Sequence, residues 1–264
     1  MRLNGIYDRK SAMWRMAAVV ALLCCISTAW AADSGTLVTM PSGIPWDPAS
    51  LANDNKIIYG TDDRIDVYQE TDPQRLQWAA STCGLVLSTD LTKTPDGNFV
   101  LKMSQYVSDL GLPVCDDQAY ASQPAAPFCS GFIVGPDLIA TAGHCLAAAE
   151  ELKNFKLVFG FAMLDASQPL TILPPDQVYT PIEVVAYKFE GIGVDDFAIV
   201  RVDRPITAQN AVPFEIRREG TIEDGTKIGV IGHPRGLPMK IAFGDNTVVK
   251  DANLTASSFW GNLD

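Results

Sequence analysis

The chain has 264 residues, 47% of them hydrophobic and 19% charged, with a formal net charge of −11. That apolar content supports a packed core and excludes a disordered chain. The negative balance excludes nucleic acid and anionic membrane surface as partners, because so acidic a surface repels both.

Residues 1–31 read as a removable secretory signal. Arg2, Arg9, Lys10 and Arg15 form a positive n-region, Met16 to Ile26 is almost wholly apolar, and Ala29-Trp30-Ala31 offers small residues where a signal peptidase reads them. The apolar run is too short for a membrane anchor, and Leu23 ahead of Cys24 excludes a lipoprotein. The expectation is a secreted chain, extracellular or periplasmic, without membrane attachment once the signal is removed. Residues 32–56 hold Ser34-Gly35, Pro41-Ser42-Gly43, Pro45-Trp46-Asp47-Pro48 and Asn53-Asp54-Asn55. Turn formers without a sustained period read as a pro-segment or linker. Lys56-Ile57 is then either a processing site or a loop-to-strand boundary.

From residue 57 onward, short β-type runs alternate with turn signals, as all-β folds show. Leu76 to Leu87 is expected as a short helix, and residues 76–127 as an insertion. Within it, Asp96-Gly97 marks a tight turn ahead of a strand from Phe99 to Met103. Beyond it, strands are expected at Phe132-Ile133-Val134, Leu138 to Thr141, Leu157-Val158-Phe159, Ile182 to Tyr187, Phe197 to Val202, Ile228 to Ile231 and Thr247-Val248-Val249. A second short helix is expected from Glu150 to Phe155. Residues 57–205 and 206–264 are taken as two successive structural units.

Once the leader is set aside, four cysteines remain: Cys83, Cys115, Cys129 and Cys145. An even count in an exported chain favours disulfides, and four cysteines allow three pairings among which sequence alone does not choose. A Cys83–Cys115 bridge would staple the insertion, contributing ~3–4 kcal/mol on the chain-entropy account. A Cys129–Cys145 bridge would pin the loop that presents His144.

The chemistry concentrates in two segments. Cys129 to Cys145 reads as a hairpin of two apolar strands, with His144 just beyond the second and the small Ala142 and Gly143 leaving room for a substrate. Asp196 opens an apolar strand, placed to hold an imidazole N–H, while its neighbour Asp195 faces solvent because adjacent strand residues point opposite ways. With only two histidines in the chain, a metal site built on a histidine cluster is a poor candidate, and no metal or cofactor is expected. His233 reads as a structural residue at a turn or strand end.

Thr141-Ala142-Gly143-His144-Cys145 and Asp196-Phe197-Ala198-Ile199-Val200 resemble the T-A-x-H-C and D-x-A-[IL]-[VL] segments of the trypsin/chymotrypsin-like serine endopeptidases. Ile57-Ile58-Tyr59-Gly60-Thr61-Asp62-Asp63-Arg64 and Ile231-Gly232-His233-Pro234-Arg235-Gly236-Leu237-Pro238-Met239-Lys240 are similar to segments of the V8-like, glutamyl-endopeptidase-like bacterial subgroup. The resemblance implies an all-β fold of two antiparallel barrels, the second incomplete in this chain. It implies His144 as general base and Asp196 as its support, a monomer, and protein or peptide substrates. It also implies a glycine-flanked nucleophilic serine after the Asp strand. The serines there are Ser257 and Ser258, neither beside a glycine. The stretch Phe259 to Asp264 resembles one that precedes the nucleophile loop in V8-like relatives. The expectation is thus an endopeptidase ending before its serine, inactive by itself, or else a non-catalytic homologue acting as a protein-binding module.

Overall fold

A computed structural model describes residues 38–39, 45–46, 62–107, 114–190, 195–208, 210–245, 247–254 and 258–263. The expected signal at 1–31 and the Lys56-Ile57 junction lie outside the described residues. Contacts divide the chain into two units, Met1–Asn55 and Lys56–Asp264. In the first, β1 (Val38–Thr39) and β2 (Pro45–Trp46) pair antiparallel.

The second unit opens with β3 (Arg64–Asp66), helix α1 (Pro73–Ala80), β4 (Thr82–Leu87), β5 (Leu91–Lys93), β6 (Phe99–Leu101), β7 (Ser104–Gln105) and β8 (Pro124–Ala125). Then come β9 (Cys129–Gly135), β10 (Leu138–Thr141), helix α2 (Gly143–Ala149), β11 (Phe155–Phe159), β12 (Ile172–Leu173), β13 (Val178–Tyr179), β14 (Pro181–Phe189) and β15 (Asp196–Val202). The unit closes with β16 (Val230–Gly232), β17 (Lys240–Ala242), β18 (Val249–Asp251) and β19 (Trp260–Gly261).

A curled seven-stranded antiparallel sheet, in the order β13-β11-β4-β9-β10-β15-β14, is the centre of the unit. β9, β10 and β15 alternate strictly. Ile133, Ile139, Val200 and Val202 point into the barrel, where they meet Leu85, Leu157, Phe159 and Tyr179 in the main core. β4 and β11 are buried on both faces, because Val86 and Val158 join a second core with Leu101, Phe161, Leu173 and Val178. That outer core lies beneath the small β12-β6-β5 sheet. The architecture is the all-β, chymotrypsin-like class implied by the resemblance. Among the described residues no helix is long and apolar enough to cross a membrane.

Three findings differ from the sequence reading. First, the helix expected over 76–87 ends at Ala80, and Thr82–Leu87 is instead the strand between β11 and β9. Residues 76–127 are therefore no separate insertion, since β4 is integral to the main sheet. Second, β3 pairs with β17 in the register Arg64↔Ala242, Ile65↔Ile241, Asp66↔Lys240. The start of this unit thus belongs with the β16-β17-β3 sheet, not with the seven strands, and a division at residue 205 cuts across that pairing. Third, Cys83 and Cys115 are free thiols. Cys83 is fully buried in the main core beside Leu85, Leu157 and Phe159, whereas Cys115 is exposed, and the two are not bonded to each other.

A buried polar cluster ties β3 to β17. The Lys240 ammonium, with a side chain only 2% exposed, donates to Asp66 Oδ1 at 2.6 Å, Gln123 Oε1 at 2.7 Å and Pro238 O at 2.9 Å. Gln123 Nε2 donates in turn to Asp66 Oδ2 at 2.8 Å. All three ammonium donors are used, as a charge taken out of water requires.

Candidate active site

His144 and Asp196 are brought together by a strand ladder and the helix that follows it. β10 and β15 pair from Leu138↔Arg201 to Thr141↔Ala198. Carried two residues further, the same ladder sets Asp196 opposite Gly143, where the chain leaves the sheet and turns into α2. Oδ1 of Asp196 accepts from the His144 backbone N–H at 2.9 Å, and Oδ2 lies 2.6 Å from His144 Nδ1. Both carboxylate oxygens therefore hold the same residue, one through its backbone and one through its ring.

Burial pushes the Asp196 carboxyl upward. Hydrogen bonds from the His144 ring, the His144 N–H and the Gly143 N–H outweigh that effect and hold it below the ordinary carboxylate value. Asp196 is thus ionised at neutral pH and accepts only, so Nδ1 is the donor in this bond, and the neutral tautomer that this selects has its lone pair on Nε2. The imidazole is half exposed, at 51%, while the carboxylate is only 19% exposed. The carboxylate is sheltered and the ring is accessible.

Gly143 is required by the closeness of this packing. A Cβ there would lie 2.4 Å from the Lys188 carbonyl oxygen and 3.1 Å from Asp196 Oδ1. Phe189, at the end of β14, meets the His144 ring edge-to-face with centroids 6.3 Å apart. Asp195 pairs with Lys188, which also reaches Glu190 at 3.4 Å, so ion pairs join the ends of β14 and β15 next to Asp196.

Cys129 and Cys145 form a disulfide with Cα atoms 6.1 Å apart, tying the first turn of α2 to β9. Cys145 Sγ lies 3.5 Å from His144 Nε2. Thr141 and Ala142, which lead into the helix, form part of the wall of a cavity of about 410 Å³ that also takes in Trp78, Phe132, Phe214 and Phe243. This puts an apolar cavity against the segment that leads into α2.

His233 stands apart from this group. Its backbone N–H donates to Ser130 Oγ at 2.8 Å, its ring stacks on Phe161, and Nδ1 donates to the Leu237 carbonyl at 3.0 Å. Burial lowers its pKa to about 4, so the ring is neutral. Among the two serines after Asp196, Ser257 lies outside the described residues. Sequence reasoning missed α2 itself, although Leu146-Ala147-Ala148-Ala149 is a strong helix-forming run. It also missed Phe189 as the wall against the imidazole, which no local pattern marks.

No curated protein matches the chain. A family model of the trypsin-like peptidase domain matches residues 129–260, from the strand that carries Cys129 through both His144 and Asp196. With a match across half of its length, and with the imidazole and carboxylate in contact on a curled antiparallel sheet, the chain belongs to the trypsin-like peptidase family.

Proposed function

We propose that the chain is a secreted serine endopeptidase of the V8-like kind, acting on protein or peptide substrates, with His144 as base and Asp196 as its support. The observation that carries this reading is the 2.6 Å contact between Asp196 Oδ2 and His144 Nδ1, which fixes Nδ1 as the donor and reserves Nε2 of the neutral tautomer for proton transfer. From there the imidazole takes the proton of a hydroxyl nucleophile, and the adjacent carboxylate compensates the imidazolium that forms. The same nitrogen then returns the proton to the leaving amine. The apolar cavity beside Ala142 gives room for a substrate side chain.

Neither Ser257 nor Ser258 is beside a glycine, the residue whose backbone freedom lets a nucleophile loop turn sharply and aim N–H groups at an oxyanion. We therefore also propose that the 264-residue polypeptide by itself does not hydrolyse peptides. Proton NMR tests the pair without any nucleophile. A low-field Nδ1 proton is expected in the native chain and lost in Asp196→Asn; a native chain without it refutes the assignment. Labelling of the purified polypeptide by a fluorophosphonate would overturn the claim of inactivity.

The same serine pattern favours a second reading, a non-catalytic homologue that binds other proteins. The codons downstream of residue 264 separate the two: a continuing frame with a glycine-flanked serine supports the enzyme, and an immediate stop supports the binding module.

A further inference from the structure

Among the described residues, one group offers three potential metal donors at close quarters: Cys129, His144 and Cys145, with ligand atoms all within 4.8 Å of one another. In the oxidised chain the two sulfurs are bonded to each other. We infer that reduction of this disulfide converts the active-site corner into a soft-metal site of two thiolates and one imidazole, suited to zinc, which silences the base.

Three observations carry this. The Cys145 Sγ···His144 Nε2 separation is already 3.5 Å. Zinc bonds of ~2.3 Å to sulfur and ~2.0 Å to nitrogen at a tetrahedral angle put those two atoms ~3.5 Å apart, so only the Cys129 sulfur has to move aside once the bond opens. Next, Asp196 holds Nδ1–H and leaves the Nε2 lone pair available. A carboxylate behind a histidine fixes the tautomer and orientation of metal-binding imidazoles. Finally, the ring is half exposed, so an ion can enter and water can complete the fourth position.

The chemistry balances with a dithiol as reductant. Two electrons and two protons pass from the dithiol to Cys129 and Cys145, the S–S bond breaks, and the dithiol closes to its own disulfide. The metal ion then displaces the two thiol protons to solvent and binds both sulfurs. It takes the Nε2 lone pair of the neutral tautomer and leaves the Nδ1 proton on its bond to Asp196. That lone pair is the one the proposed base uses, so a metallated site cannot accept a proton from a nucleophile. The inference rests on the same His144–Asp196 geometry as the proposed function. It is read by metal binding, however, so absence of peptidase activity does not bear on it.

Cobalt(II), a spectroscopic stand-in for zinc, is titrated into the full chain after reduction by a phosphine. The oxidised chain, which retains its other thiols, gives the background. One extra ion per reduced chain is expected, with thiolate-to-cobalt absorption that zinc abolishes. His144→Asn should weaken that binding at least tenfold. Asp196→Asn should weaken it by about 10–100-fold, the usual effect of removing the group behind a ligating histidine. Equal affinity in His144→Asn, or binding that persists unchanged in urea-unfolded chain, would overturn the inference.

Discussion

Lys240→Met removes an ammonium from the interior while keeping most of the stem, and its effect follows from the partners left behind. Asp66 has a side chain only 4% exposed and receives the Lys240 ammonium at 2.6 Å. Without that charge its carboxylate keeps the Gln123 amide at 2.8 Å but has no counter-ion. Removing one member of a buried pair costs about 3–5 kcal/mol, because an uncompensated charge stays inside. At a urea slope of about 3 kcal/mol/M, this lowers the unfolding midpoint by about 1–2 M. Lys240→Met combined with Asp66→Asn removes both charges and should recover most of the loss. The coupling energy between the two sites would then exceed about 2 kcal/mol. Urea unfolding followed by tryptophan fluorescence measures all four corners of the cycle. A midpoint shift below about 0.3 M for Lys240→Met, or simple additivity of the two substitutions, would refute the account of the cluster.

Burial of neutral His233 predicts a pH dependence. Its folded pKa is about 4, against ~6.5 unfolded, so between those values the unfolded chain binds a proton that the native one does not. Its contribution is complete above the unfolded value and falls away as pH drops toward the folded one. Roughly 2 kcal/mol of stability should go between pH 7 and 5, and His233→Gln should flatten that slope in denaturant titrations at the two pH values. Gly143→Ala brings a methyl group to within 2.4 Å of the Lys188 carbonyl oxygen. It should cost about 1–3 kcal/mol and abolish the low-field imidazole proton; an unchanged NMR signal would show that the strand end yields freely. Peptide mapping after alkylation should find Cys115 modified in the native chain. Cys83, whose thiol burial pushes up strongly, should be modified only after denaturation, and a Cys83–Cys115 peptide would contradict the fold.

The half of the sheet that holds His144 and Asp196 was legible because its strands are each buried on one face. Ile133, Ile139, Val200 and Val202 fall at alternate positions, and that period of two is visible without coordinates. β4 is covered on both faces, so Thr82 to Leu87 is a continuous apolar run. Joined to Leu76-Gln77-Trp78 it looks like more helix. Only the pairing partners, β9 on one side and β11 on the other, distinguish the two states. His144 and Asp196 were readable because the chemistry dictates their residue types and flanking strands. Lys240 was not, since a lysine after Pro-Met carries no local sign that Asp66 and Gln123 will surround it.

The β3–β17 pairing has a consequence for how the protein comes to be folded. Asp66 and Lys240 are 174 residues apart in the chain, so β3 waits for its β17 partner until all the intervening residues have been synthesised. The seven strands of the main sheet, by contrast, all lie between Thr82 and Val202. They can assemble while β17 is still to come. Long-range closure of this kind is slow, because the entropy of bringing distant segments together is lost before the contact rewards it. Topology then favours one order of events: the sheet holding the imidazole and carboxylate forms first, and β3 docks on β17 afterwards.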